Sequence, residues 1–202
     1  MTTSSSNEMN TTSPLEAVRR SRMKLLLIAG IVVIPILTAY TIMFFKPEWI
    51  PTGTTNNGTL VSPSVSITAL PSAESLPAKW ILMHPTPGTC DLTCQEMLYL
   101  SRQVHTALGK ETSRVERYLV TREDISAEYA ELLEAEHNVM GHLRLKPGEL
   151  EGLLPDIKDL YQQQYVLLID PNGNIMMYYS LEQSGKPMMR DLKHLLRISK
   201  IG

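Results

Sequence analysis

Residues 86–94 have the sequence Thr-Pro-Gly-Thr-Cys-Asp-Leu-Thr-Cys and contain the only two cysteines in the 202 residues, Cys90 and Cys94. A strand-like apolar run at 80–84 precedes them, and apolar residues recur at close to a helical period after them, at Met97, Leu98, Leu100, Val104 and Leu108. A strand, a tight Pro-Gly loop and a helix then place Cys90 at a loop tip and Cys94 in the first helical turn. Because backbone N–H groups at a helix start favour a thiolate, this layout is typical of thiol chemistry or metal capture.

The rest of the C-terminal part has an alternating pattern of strands and helices. A strand is predicted at 114–120, a helix from Ser126 to about Glu136, and a hairpin from strands at 165–169 and 175–179. Between them, a short helix is expected at 149–154 or at 156–163. An amphipathic helix over 186–197, with Pro187 in its first turn, closes the chain. The predicted order is strand, helix, strand, helix, strand, strand, helix.

Two segments resemble the Sco family of membrane-anchored, thioredoxin-like proteins that help assemble the copper centre of cytochrome c oxidase. The first is the run 79–83 followed by Thr89-Cys90-x3-Cys94, and the second is 165–173, Tyr-Val-Leu-Leu-Ile-Asp-Pro-Asn-Gly. The resemblance implies an α/β fold, with a mixed sheet flanked by helices, over about residues 76–202. The predicted element order agrees with a thioredoxin core, in which the loop-to-helix position of the cysteines carries the chemistry.

Two positions depart from the family pattern. Asp91 stands where the family usually has proline after the first cysteine. Glutamines occupy 162–164, near the place where the family has its metal-binding histidine. Neutral amides are poor ligands for a soft metal, so the family's copper site does not carry over directly.

The N-terminal third predicts a membrane anchor. Residues 1–24 are expected to form a cytoplasmic tail, disordered and basic, with Arg19, Arg20, Arg22 and Lys24 before the uncharged apolar run 25–45. That run is long enough to cross a bilayer, and it is long for a cleaved signal peptide, which is the alternative. Residues 46–75, rich in Pro, Thr, Ser, Asn and Gly, are expected to be a flexible linker to a domain at 76–202.

Three hypotheses account for the cysteine pair. The favoured hypothesis is a periplasmic thiol–disulfide protein of the bacterial inner membrane that assists copper-site maturation of a respiratory oxidase, with Cys90 attacking and Cys94 resolving. The alternatives are a Cu(I) metallochaperone and a non-catalytic assembly protein. The implied partners are an oxidase subunit or another copper-assembly protein. The net charge of −2 does not favour a nucleic-acid partner.

No cofactor is certain from the sequence, and copper is the candidate because thiolates suit Cu(I). Cys90 and Cys94 would be ligands, and His84, at the end of the strand before the loop, is a speculative third. His137 and His142 lie in an irregular region that can fold over the site. His105 is too far along the cysteine helix, and His194 belongs to the closing helix.

The basic residues before the apolar run predict that the N-terminus stays in the cytoplasm. A reporter that is active only in the periplasm is expected to be active when fused after Gly202. Activity of a cytoplasmic reporter at the same position would reverse this orientation and remove the oxidising compartment that the cysteines need.

Overall fold

The computed structural model describes residues 14–45 and 55–201. The first of these segments is a single helix, α1 (Pro14–Phe45), whose part Val18–Phe45 has a mean hydropathy of 2.5 and is long enough to span a membrane. Helix α1 contains the predicted span at 25–45 and begins earlier than expected. Residues 14–24, assigned to a disordered tail, are helical, because they start with proline and continue with good helix formers such as Leu, Ala, Arg and Met. Residues 1–13 of that tail lie outside the described residues.

Residues 55–202 form a second compact unit, built on one six-stranded sheet with the strand order β1-β6-β5-β2-β3-β4. The strands are β1 (Thr59–Ser66), β2 (Trp80–Pro85), β3 (Val115–Thr121), β4 (Gly141–Arg144), β5 (Val166–Ile169) and β6 (Asn174–Tyr179). The helices are α2 (Leu92–Ala107), α3 (Ala127–Glu136), α4 (Glu149–Leu153) and α5 (Lys186–Ile198). β2, β3 and β4 are parallel, whereas β1, β6, β5 and β2 pair antiparallel.

The central strands β2 and β5 are buried on both faces, as their unbroken apolar sequences require. Because side chains alternate along a strand, Trp80 and Leu82 pack toward α2 and α5, and Ile81 and Met83 pack into the core on the other face. A third cluster joins Cys94 to residues of α2, β3 and α3. This order and layering are those of a mixed sheet flanked by helices, as predicted.

The predicted linker at 46–75 is wrong for its second half. β1 is an edge strand paired with β6, and two short 3₁₀ turns follow it, at Ile67–Ala69 and Pro71–Ala73. An edge strand tolerates Ser, Thr and Pro and leaves most of its side chains in solvent, so its sequence looks like that of a linker. In the turns that follow the strand, Ile67, Leu70 and Ala73 are buried in the core. Residues 46–54 lie outside the described part of the chain.

A buried carboxylate fastens the start of this unit to its last helix. Asp191 of α5 accepts hydrogen bonds from the Asn57 amide at 2.8 Å, the Asn57 side chain at 2.7 Å and the Gly58 amide at 2.9 Å. The Tyr179 hydroxyl donates to it at 3.2 Å, and burial together with this carboxylate raises the pKa of Tyr179. One side chain of α5 therefore satisfies donors from two other segments, the start of the unit and the end of β6.

We expect Asp191→Ala to destabilise the protein by roughly 3 kcal/mol, because hydrogen bonds to a buried charged acceptor are lost and the donors stay buried. Urea denaturation of the full chain in detergent measures the loss, with exposed Lys193→Ala on the same helix as control. Hydrogen–deuterium exchange should rise first in residues 55–66. Equal exchange in both variants would show that Asp191 does not hold this segment.

Candidate functional site

The loop that leads to the cysteines is held against the start of α3. The strand pairing continues past β2, since the Thr86 amide donates to the Val120 carbonyl at 2.9 Å. The Ser126 amide then donates to the Gly88 carbonyl at 2.7 Å. Gly88 is required there because a Cβ atom would collide with the backbone carbonyl of Asp124. Ser126 also caps α3, accepting from the Tyr129 amide at 3.2 Å, so one residue positions both the loop and α3.

Asp91 determines where α2 begins. It is the N-cap residue, and its carboxylate accepts a hydrogen bond from the Cys94 amide at 2.8 Å. Cys94 consequently lies in the first turn and Cys90 just outside the helix, as predicted. The two are joined in a disulfide with their Cα atoms 5.2 Å apart. They differ in access: Cys94 is 1% exposed, whereas Cys90 is partly exposed.

A groove of about 460 Å³ opens beside Cys90, between the start of α2 and one face of α3. Its walls combine polar and apolar groups, namely Thr89, Cys90, Gln95, Ser126, Glu128, Tyr129, Glu131, Leu132 and Ala135. Cys90 is therefore the cysteine that faces this open groove, whereas Cys94 does not line it.

The buried sulfur is surrounded differently. The Tyr129 hydroxyl lies 3.7 Å and the Thr86 hydroxyl 4.0 Å from Cys94 Sγ. Tyr129 is 2% and Thr86 is 1% exposed. Burial raises the pKa of Tyr129 to about 12, against the opposing effects of a Thr86 hydrogen bond and of Arg117, so the phenol keeps its proton at neutral pH. Because a disulfide sulfur carries no proton, the hydroxyls are the donors in these contacts.

A guanidinium lies buried beneath α2. Arg117 of β3 is 3% exposed, and its Nε and Nη2 donate to Ser101 Oγ at 3.1 and 2.9 Å. Nη2 also donates to the Leu98 carbonyl at 2.9 Å. Within 55–201 no carboxylate pairs with Arg117, and its Nη1 has no hydrogen-bond partner. Burial, followed by the charge of Arg102, lowers the pKa of Arg117 to about 10, so the group is charged at neutral pH.

Two buried histidines share this region. Burial, with Arg117 as the next cause, lowers the pKa of His84 well below its usual value and that of His137 to about 4. Both are therefore neutral near pH 7, and Arg117 carries the charge of the cluster. Among the residues described, His84 Nε2 and His137 Nδ1 have no hydrogen-bond partner.

These surroundings do not fit a copper site that includes His84. In the part of the chain that is described, no three His, Cys, Asp or Glu side chains come together as a metal-binding group. His84 sits in the positive field of Arg117, which opposes bringing a metal cation to its free nitrogen. The surroundings of His84 therefore do not favour it as a third copper ligand.

The other histidines lie apart from one another. His105 Nε2 donates a hydrogen bond to the Val115 carbonyl at 2.8 Å, which joins α2 to the start of β3. His142 is exposed on β4, and His194 is exposed on α5, where its Nδ1 lies 3.1 Å from Arg197. His137 ends α3 and is buried, whereas His142 is exposed on β4, and both line a groove of about 320 Å³.

The residues that surround Cys94, namely Thr86, Arg117 and Tyr129, were not predicted as site residues from the sequence. One signal was present for Arg117, because the alternation that buries Val115 and Leu119 puts Arg117 on the same face of β3. Tyr129 lies within the helix predicted from Ser126 to about Glu136, but its contact with a cysteine depends on how α3 packs against α2. No sequence pattern singled out Thr86.

The carboxylate of Asp91 opposes a thiolate next to it, while its N-cap bond stabilises α2. We therefore expect Asp91→Asn, which keeps a capping side chain, to accelerate alkylation of reduced Cys90 by iodoacetamide at pH 7, by roughly three- to tenfold. Asp91→Ala removes the same charge and also the cap, which should cost about 1 kcal/mol of stability. An unchanged alkylation rate in Asp91→Asn would mean that the carboxylate has no influence on the thiol.

Comparisons with known proteins place this site in context. The family model of the transmembrane-like, thioredoxin-like C-terminal domain matches residues 80–199. No curated protein matches the chain.

Solved structures with a similar fold include Sco proteins and thiol–disulfide oxidoreductases. Copper-bound ScoI of Bradyrhizobium japonicum is 20% identical, with a TM-score of 0.43 over 60% of this chain and 87% of that chain. A thiol:disulfide interchange protein from Bacteroides sp. is 15% identical, with a TM-score of 0.44 over 71% and 91%. Yeast Sco1 is 15% identical, with a TM-score of 0.47 over 60% and 80%.

The family match covers β2 through α5, including both cysteines, Thr86, Arg117 and Tyr129. Together with the strand order, it confirms the predicted thioredoxin-like fold behind an N-terminal apolar helix. The apolar helix and this match also support a membrane anchor. The chain belongs to the transmembrane-like, thioredoxin-like C-terminal domain family.

Proposed function

We propose that this chain is a membrane-anchored thiol–disulfide exchange protein that acts through Cys90 and Cys94. The observation that carries the proposal is the disulfide itself, which joins a partly exposed sulfur at a groove to a buried sulfur in the first turn of α2. A disulfide with only three residues between its cysteines constrains the unfolded chain little, so a purely structural role explains it less well.

The difference in access gives each cysteine a role. A partner thiolate attacks Cys90 Sγ, forms a mixed disulfide and displaces Cys94 as a thiolate. The partner's second thiolate then attacks the partner sulfur that is bonded to Cys90. The partner's own disulfide forms, and Cys90 is released as a thiolate. The partner dithiol is oxidised by two electrons, the Cys90–Cys94 disulfide is reduced, and the two protons of the partner's thiols pass to the released thiolates or to solvent. In the reverse direction Cys90 attacks a partner disulfide and Cys94 resolves the intermediate.

The partner class is proposed from the resemblance of residues 79–94 and 165–173 to Sco proteins. On this basis the domain lies on the periplasmic face of a bacterial inner membrane and maintains the redox state of cysteines that later hold copper in a cytochrome c oxidase subunit. An oxidising compartment allows a Cys90–Cys94 disulfide to persist between reactions. Copper is then the cargo of the partner, and exchange of electrons does not require this chain to hold it.

Thiol trapping tests the exchange reaction. We expect the full chain, equilibrated in glutathione buffers of defined potential, to convert reversibly between a disulfide and a dithiol. Cys94→Ser should accumulate mixed disulfides through Cys90, because the resolving thiol is gone. Cys90→Ser is the matched control and should accumulate few, since Cys94 is buried.

Identification of the species trapped by Cys94→Ser in cells tests the partner. Recovery of an oxidase subunit or a copper-assembly protein supports the oxidase role, and recovery of unrelated partners alone contradicts it while leaving thiol exchange intact. A pair that stays oxidised across all glutathione buffers, with no mixed disulfide in Cys94→Ser, would refute thiol exchange.

A further inference from the structure

Opening the disulfide at Cys90 leaves a negative charge on an atom that water cannot reach. Cys94 is the leaving group of that step, and it is 1% exposed. The helix N-terminus offers limited help, since the Cys94 amide is already bonded to the Asp91 carboxylate. Burial of an ion without compensation is costly, so the reaction needs donors or an opposite charge near Cys94 Sγ.

The donors in contact with this sulfur are hydroxyls. Tyr129 and Thr86 approach Cys94 Sγ to 3.7 and 4.0 Å from different elements, α3 and the end of β2. The Thr86 hydroxyl also lies 3.1 Å from the Pro87 carbonyl, to which it donates. A hydroxyl proton turns freely about its C–O bond, so it can swing from that carbonyl to a newly charged sulfur without movement of heavy atoms.

The opposite charge is Arg117. Its guanidinium donates to the Leu98 carbonyl, one helical turn beyond Cys94, and its field reaches the Tyr129 hydroxyl. Within 55–201 it has no carboxylate partner, while His84 and His137 beside it are neutral near pH 7. Around Cys94 in the oxidised protein, the buried charge of Arg117 is therefore not paired with any carboxylate of residues 55–201.

We propose that Tyr129 and Thr86 act as a pair of positioning donors for the Cys94 thiolate released when Cys90 is attacked, and that Arg117 supplies the balancing charge. The proposal rests on the exchange function proposed above. In the step, the incoming thiolate bonds to Cys90 Sγ, the Cys90–Cys94 bond breaks, and its electron pair stays on Cys94 Sγ. The hydroxyl protons turn toward this sulfur but are not transferred.

Reduction of the full chain by glutathione measures the step directly. Samples are quenched by alkylation, and mass spectrometry gives the second-order rate constant. Tyr129→Phe and Thr86→Val each remove one hydroxyl while keeping the shape. We expect Tyr129→Phe to slow reduction by roughly tenfold and Thr86→Val by roughly threefold or more, since hydrogen bonds to charged groups are the strong ones. Tyr99→Phe, at an exposed tyrosine of α2, is the matched control and should react like the original chain.

Arg117 is tested by a pair of variants that separates charge from packing. Arg117→Lys keeps a positive charge and should retain most of the reduction rate. Arg117→Met fills a similar volume without charge and should be slowed at least as much as Tyr129→Phe. An equal loss in both would overturn the role of the charge. If Arg117→Met does not fold, the hydroxyl variants still decide the donor pair.

A second measurement, the ionisation of Cys94, does not depend on thiol–disulfide exchange. In a Cys90→Ser background, absorbance at the thiolate band gives the pH at which Cys94 is half ionised. Tyr129→Phe should shift that midpoint upward, because the thiolate loses a donor. Unchanged midpoints and unchanged reduction rates in both hydroxyl variants would overturn the donor pair. Failure of the original chain to react with glutathione, with shifted midpoints in the variants, would refute the exchange function alone.

Discussion

The hydrogen bond from the Cys94 amide to the Asp91 carboxylate determines the geometry of the site. It ends the loop at Asp91 and starts α2 at Leu92, so the two cysteines fall on opposite sides of the helix boundary. A start one turn later would leave both sulfurs in the loop and remove their difference in burial. The difference in access between the two cysteines, on which their proposed roles rest, follows from that boundary. The same carboxylate places a negative charge beside the thiols, so capping and reactivity are opposed at this residue.

Burial of Arg117 makes sense as part of the same arrangement. A guanidinium under α2 loses its hydrogen bonds to water, and the bonds to Ser101 and to the Leu98 carbonyl replace some of them. Burial, with the charge of Arg117 as the next cause, lowers the pKa of His84 and His137 so that both are neutral, and this avoids several like charges in one buried space. A packed apolar residue would serve stability as well or better. The arrangement becomes favourable when Cys94 is an anion, because the attraction between the thiolate and the guanidinium then offsets the cost of burying Arg117.

Most of the fold could be predicted from sequence because β2, β5 and the amphipathic helices have strong, uninterrupted patterns. β1 could not, since an edge strand leaves Thr59, Leu60 and Pro63 exposed and shows no alternation. β4 is only four residues long and follows the end of α3 closely, which is too short for a pattern to emerge. In the sequence Asp91 is visible only as a departure from the family's proline, and the structure shows that it is the N-cap of α2.

The candidate site was predictable only where it is local in sequence. Cys90 and Cys94 are four residues apart, and helix geometry alone relates them. Tyr129 and Cys94 are 35 residues apart, and their contact depends on how α3 lies against α2. Ser126 fixes that packing by bonding to Gly88, yet in the sequence it is visible only as a helix cap. Contacts of this kind come from tertiary packing, for which the sequence carries no periodic signal.

Stabilising the Cys94 thiolate affects the two directions of exchange differently. A better leaving group speeds attack on Cys90 by a partner thiol, and the same stabilisation weakens Cys94 as the nucleophile that resolves a mixed disulfide. Tyr129, Thr86 and Arg117 should therefore shift the pair toward accepting electrons. Asp91 acts in the opposite sense on the exposed side, because its charge disfavours a thiolate at Cys90. Under the proposed exchange function, the balance between a buried cation and an exposed carboxylate, placed on either side of one disulfide, sets how oxidising this protein is.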